Sequence, residues 1–192
     1  MNPARPISSE VLRVDGPNET EAITEALRSA LRGDLKRTGL VVGLSGGIDS
    51  SVVGALCVKA LGPDRVFGLL MPEQDSSPDT LRLSQLIVSH LNIEYAEENI
   101  TPILEAFGCY RRRNQAIRQV IPEFQDDWKC KLLLPSILKN QAGFRVFSIS
   151  VQSPDGSIQK QCRLTPQAYL GIVAATNFKQ RTRKMLEYLS LI

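Results

Sequence analysis

The run Val41-Val42-Gly43-Leu44-Ser45-Gly46-Gly47-Ile48-Asp49-Ser50-Ser51 gathers residue types suited to handling phosphate. It reads as an apolar strand that breaks into a Ser-Gly-Gly turn and restarts as a helix at Asp49-Ser50-Ser51. Such a turn aims several backbone N–H groups, and the positive end of a helix dipole, at one small volume. Adjacent glycines remove the Cβ atoms that would keep an oxyanion away from the backbone. Asp49 places a carboxylate where a purely anion-binding loop has no use for one. A divalent cation bridging phosphate and carboxylate resolves that conflict. A Walker A loop is excluded, because no Gly-Lys-Ser/Thr follows Gly47.

A second group of polar residues lies in Thr176-Asn177-Phe178-Lys179-Gln180-Arg181-Thr182-Arg183-Lys184-Met185. Asn177, Gln180, Arg181 and Lys184 are three or four apart and can share one helical face. Guanidinium forks there suit pyrophosphate or carboxylate groups; a basic helix end that complements its own dipole is the plainer explanation. Arg111 to Arg113 with Arg118 reads as a solvated basic face rather than a phosphate grip. Glu97-Glu98 and Asp126-Asp127 are adjacent pairs whose side chains diverge, which places them at the surface. His90, the single histidine, reads as a core or edge residue, and Cys130 and Cys162 as structural thiols.

The elements that must position these groups follow from periodicity. The first dozen residues read as a loose arm. Asn18 with Glu21 resembles a capping box, and Ile23, Leu27, Leu31 and Leu35 mark a helix stopping near Gly39. A strand over 40–44 leads into the loop, and a helix from about Ser50 to Leu61, with Val53, Leu56, Ala60 and Leu61, ends at Gly62-Pro63. A strand over 66–71, a helix opened by Ser77-Pro78 with Leu83, Leu86, Ile87 and His90 inward, and a strand over 93–100 complete β-α-β-α-β. That order predicts a parallel sheet with right-handed crossovers. Residues 101–163 break the rhythm and read as an insertion. They include two β-like runs, 144–151 and 157–164, joined by Ser153-Pro154-Asp155-Gly156, a hairpin signal. A last helix runs from Thr165-Pro166 to about Tyr188.

Bulk properties narrow the class. The 192 residues suffice for one ordinary domain, with 43% hydrophobic and 22% charged residues. A net charge of +3 is too mild to argue for nucleic acid. Four scattered cysteines form no Cys-x-x-Cys pair, no apolar run is long enough to span a bilayer, and a cytoplasmic location is the expectation.

Ser-Gly-Gly-Ile-Asp-Ser-Ser resembles the signature of the PP-loop ATP pyrophosphatases, which cleave ATP between the α and β phosphates and leave AMP on the acceptor. Together with Asn177, Lys179, Arg181 and Arg183, matching an Asn-x-Lys-x-Arg-x-Arg helix, the chain resembles the ammonia-dependent NAD synthetases of that group. The resemblance covers most of 18–100 and 166–188. It implies an α/β fold: a Rossmann-like parallel sheet with helices on both faces, of the adenine nucleotide alpha hydrolase type, in a single domain over 1–192 with an insertion at about 101–165. It further implies that Gly43, Leu44, Ser45, Gly46, Gly47, Ile48, Asp49 and Ser50 hold ATP, that Asp49 binds Mg2+, and that Arg181, Asn177 and Arg183 contact deamido-NAD. The reaction implied is ATP-dependent amidation of deamido-NAD with ammonia through an adenylate, giving NAD, AMP and pyrophosphate, in a homodimer. No catalytic side chain beyond these is singled out, and ammonia is taken free or from a separate glutaminase. The family pattern continues beyond its Arg-x-Arg helix with a further strand, a second magnesium-binding glutamate and substrate lysines, so a C-terminally shortened chain of low turnover is expected. Two other readings stay open: another PP-loop enzyme such as a tRNA-modifying ligase, and a non-catalytic nucleotide-binding fragment.

Overall fold

The computed structural model describes residues 13–133 and 147–190, arranged in two compact units. The first unit holds 13–70 and 78–97, and the second 71–77 and 98–190. The expected arm over the first dozen residues, and residues 144–146 of the expected strand, lie outside the described residues.

In the first unit, β1 (Leu40–Gly43), β2 (Val66–Leu70) and β3 (Glu94–Glu97) form a parallel sheet in the order β1-β2-β3. Its crossovers are α2 (Ile48–Leu61) and α3 (Pro78–Leu91), and α1 (Gly16–Ala30) precedes β1. Both crossovers lie on one face. Gly54 of α2 packs against Leu44, Val88 of α3 packs against Gly68, and the register Val42↔Gly68 puts Leu44 and Gly68 on the same side. Two right-handed crossovers stepping in one direction across a sheet must do this. The core between them is Val42, Leu44, Cys57, Val66, Leu70, Val88 and Ile93.

The expected β-α-β-α-β order is therefore met, with corrections in detail. Asp15, not Asn18, caps α1, accepting from the Asn18 N–H at 3.3 Å. Pro17 lies in the first turn, where its missing N–H costs nothing, so the helix begins earlier. The helical path ends with a wide turn over Leu31–Leu35 and Lys36 in the left-handed region, short of Gly39. Val53 and Leu86, expected to face inward, are 49% and 59% exposed. The buried residues of α2 are Gly54, Cys57 and Ala60, and those of α3 are Ser84 and Val88. Leu61 and Ile87, also expected inward, pack against this core from partly buried positions, while small residues take most of the fully buried places and let the helices approach closely. His90 is exposed.

The second unit comprises α4 (Thr101–Ala106), α5 (Cys109–Arg118), α6 (Pro166–Leu189) and an antiparallel sheet β4-β5-β6 (Lys129–Leu133, Ser148–Gln152, Gln159–Arg163). The β5–β6 hairpin turns at Ser153-Pro154-Asp155-Gly156 as expected. Asp155 accepts from the Ser153 hydroxyl and from both N–H and hydroxyl of Ser157, which holds its carboxyl down at about 2. Strand β4 carries no sequence signal, since Lys129-Cys130-Lys131 has two lysines and no long apolar run. Ile149 and Val151 of β5 pack with Ile117, Ile121, Phe124, Trp128, Ala168 and Ile172.

Helices α5 and α6 meet where Gly171 faces Ala116; a Cβ on Gly171 would come within 2.8 Å of the Ala116 Cβ. Gly171→Val is therefore expected to destabilise the protein by about 1–3 kcal/mol in urea unfolding, as overpacking does. Ala116→Gly in the same chain is expected to recover part of that loss.

Candidate functional site

The Ser-Gly-Gly turn links β1 to α2 entirely within the first unit. Gly46 adopts φ +70, and a Cβ there would lie 2.7 Å from the Leu83 Cβ and 2.9 Å from the Thr80 carbonyl oxygen. Only glycine meets both demands. Gly47 is the N-cap of α2 and has no side chain with which to cap it. The first backbone bond of the helix runs from Ser51 N–H to the Gly47 carbonyl at 3.1 Å. The N–H groups of Ile48, Asp49 and Ser50 thus precede the first intrahelical acceptor and have no other protein acceptor among the described residues. An end of this kind, with the helix dipole behind it, suits an anion.

The serines brace this end. Ser50 Oγ accepts from Ser45 N–H at 3.2 Å, donates to the Gly47 carbonyl at 3.0 Å and lies 3.1 Å from Ser45 Oγ. Ser51 Oγ donates to the same carbonyl at 2.8 Å. The Asp49 carboxylate is exposed and makes no ion pair or hydrogen bond among the described residues. A single carboxylate beside an end suited to phosphate would match Mg2+, which takes one or two protein carboxylates and completes its shell with water and phosphate oxygens. No cluster of three or more His, Cys, Asp or Glu occurs among the described residues. A cage made wholly of protein ligands is thus absent among them, and Asp49 alone would hold the ion.

The second unit contains a separate concentration of charge. Glu73 receives the Lys179 ammonium at 2.8 and 3.0 Å and the Tyr110 hydroxyl at 2.6 Å, with Arg183 Nη2 at 3.9 Å. Asp75 pairs with Arg113 and, at 2.5 Å, with Lys179. Burial alone would raise the Asp75 carboxyl; the bonds and positive charges of Lys179 and Arg113 outweigh it and hold it below the ordinary range. Burial and the bond to Glu73 push the Tyr110 phenol far up, so it remains a donor. Arg113 also donates to Asn114, which with Arg118 donates to Asp126.

This corrects one sequence expectation and adds to another. Arg113 is not part of a solvated face but nearly buried, whereas Arg111 and Arg112 are exposed. Asp126 is exposed as expected, yet it anchors Asn114 and Arg118. Glu73, Asp75 and Tyr110 carried no motif. Their one advance signal was Glu73-Gln74-Asp75, two carboxylates shortly after an apolar strand. The cysteines behave as structural thiols: burial pushes Cys57, Cys109 and Cys130 up, away from reactivity.

On α6, residues two apart point to opposite sides, since each residue turns the helix by about 100°. Asn177, Gln180, Arg181 and Lys184 do share one face, and it is the exposed one. Lys179 and Arg183 lie on the other, against Glu73. The loop belongs to the first unit and the α6 residues to the second.

Relatives of the chain share much of this sequence. A family model described as NAD synthase matches residues 19–123. An NH(3)-dependent NAD(+) synthetase of Mesorhizobium japonicum is 51% identical over 93% of this chain and 55% of its own length. One from Rhizobium rhizogenes is 47% identical over 95% of this chain and 54% of its own. The chain thus spans about half the length of the curated relatives it matches. Among solved structures, an NH3-dependent NAD synthetase from Campylobacter jejuni in complex with the nitrate ion shares 38% identity at a TM-score of 0.46, over 50% of this chain and 41% of that one.

Two outcomes test the geometry. Gly46→Ala is expected to cost about 1–3 kcal/mol in urea unfolding, from the positive φ and the contact with α3. Asp75 has a native pKa below its unfolded value of about 3.9, so the native state binds fewer protons in acid. Its stabilisation is present above about pH 4 and disappears as pH falls through the depressed native value. Asp75→Asn should therefore be less stable than the parent at pH 7, and urea midpoints should converge as pH drops towards 3.

Proposed function

Because the chain belongs to the NAD synthase family, we propose that it carries the ATP-binding part of an ammonia-dependent NAD synthetase. The observation that carries this reading is the start of α2: three N–H groups without an acceptor among the described residues, beside the free Asp49 carboxylate. In this reading Gly43 to Ser50 hold the ATP phosphates. Asp49 holds Mg2+, which when bound neutralises charge on the departing pyrophosphate. The N–H groups of Ile48, Asp49 and Ser50 donate to phosphate oxygens as negative charge gathers there on cleavage.

The deamido-NAD nicotinate carboxylate, ionised at neutral pH, attacks the ATP α-phosphorus and needs no base. The P–O bond to pyrophosphate breaks and an adenylate remains. Ammonia then adds at the acyl carbon, AMP leaves, and one proton passes to solvent. Asn177 and Arg181, exposed on one face of α6, are proposed contacts of deamido-NAD. Arg183 is proposed as a further contact from the opposite side of α6, its side chain about one-third exposed and its Nη2 3.9 Å from Glu73. We read 101–165 as an insertion within one domain, and propose a homodimer supplied with free ammonia or served by a separate glutaminase. A cytoplasmic setting fits four free cysteines; among the described residues no helix is long and apolar enough to cross a membrane.

Titration calorimetry with ATP–Mg2+ and then deamido-NAD tests this reading. The chain is expected to bind ATP only with Mg2+ present. Asp49→Asn should weaken that binding on the order of tenfold, the scale of one charge-assisted ligand. Arg181→Ala should weaken deamido-NAD and leave ATP unchanged. Binding of ATP with no response to deamido-NAD would sink the synthetase reading and leave a nucleotide-binding segment.

A further inference from the structure

Within the Asn-x-Lys-x-Arg-x-Arg stretch, Lys179 alone has no part in the proposed reaction. Its ammonium has three N–H donors. Both Glu73 oxygens and Asp75 Oδ2 lie within 3.0 Å of it, and the Tyr110 ring face lies 4.9 Å away. The side chain is 13% exposed and that of Glu73 only 7%. Such an ammonium has nothing left to offer a ligand. Arg181, half a helical turn away, is exposed with no partner among the described residues.

We propose that Lys179 is a positioning residue: it ties α6 to residues 71–77 through Glu73 and Asp75, and so holds the outward face of Asn177 and Arg181 in place. The tie is reinforced from α5, where Tyr110 donates to Glu73 and Arg113 pairs with Asp75. The backbone of the segment is fixed at a further point, where Ile100 N–H bonds the Pro72 carbonyl at 3.0 Å. Glu73 accepts from Lys179 and Tyr110 with Arg183 close by, so removing its counter-ions strands a buried carboxylate. The positioning part of this proposal rests on the deamido-NAD reading of Arg181; the tie itself does not.

The test is a double-mutant cycle of Lys179→Met and Glu73→Gln, with Lys179→Arg as the conservative variant and Arg181→Ala as the direct-contact reference. Three quantities are read: the unfolding midpoint, amide hydrogen exchange over 71–77, and the affinity for deamido-NAD. Lys179→Met should lower the midpoint by roughly 5–10 °C, speed exchange over 71–77 and weaken deamido-NAD roughly tenfold. Adding Glu73→Gln should recover part of the midpoint, because the stranded carboxylate is gone, and Lys179→Arg should recover both exchange and affinity. Arg181→Ala should weaken affinity with exchange unchanged. Additive midpoints, with affinity lost and exchange over 71–77 unaltered in Lys179→Met, would overturn the proposal and make Lys179 a ligand contact. If the unsubstituted chain ignores deamido-NAD, the synthetase reading fails, while midpoint and exchange still decide the tie. Should Lys179→Met not fold, Glu73→Gln and Lys179→Arg carry the same comparison: faster exchange over 71–77 in the first with none in the second supports the tie, and no change in either refutes it.

Discussion

The start of α2 is a helix end denied the usual solution to its own unsatisfied donors. Most helices meet that need with a Ser, Thr, Asp or Asn side chain at the N-cap, as Thr165 does for α6 by accepting from Ala168 N–H at 3.2 Å. At α2 the N-cap is Gly47, and the nearby serine hydroxyls turn to the Gly47 carbonyl and to Ser45 instead. The N–H groups stay open and their field is available to an anion. Everything around the turn preserves this condition. Gly46 lets α3 approach, the core under β1 and β2 fixes where the strand stops, and Gly54 lets α2 lie close to the sheet.

The second unit solves a different problem by a different device. It carries charges into partly buried positions and satisfies them with one another, so that Glu73, Asp75, Arg113, Lys179 and Tyr110 form one connected set. Buried pairs of this kind add little net stability over apolar packing, but they penalise any arrangement that separates the partners. The geometry they enforce is therefore specific: α6 presents one side to Glu73 and the other outward. The alternation of Asn177, Lys179, Arg181 and Arg183 follows from helical geometry, which cannot bring all four to one ligand from one side.

Features encoded by neighbours in the chain are legible in the sequence alone. The phosphate-type loop, the parallel β-α-β-α-β order and the Asp-Gly hairpin each depend on a few consecutive residues and on backbone preferences those residues carry. Helix faces are less legible. In α2 and α3 most of the fully buried residues are small, so hydrophobicity marks Val53 and Leu86 while close approach selects Gly54, Cys57 and Ser84. Strand β4 is hidden because its pairing with β5, and not its composition, makes it a strand.

By itself the sequence determined the residue types of the loop: paired glycines, serines and the carboxylate of Asp49, a set suited to phosphate and a cation. It also determined that Asn177 and Arg181 share a face. Only the tertiary structure decided which face looks outward, because Lys179 finds Glu73 across 106 residues and Asp75 across 104. Whether a lysine is a free ligand contact or a spent counter-ion depends on what surrounds it. That environment is assembled only when distant segments pack and exclude water, and no local pattern records it.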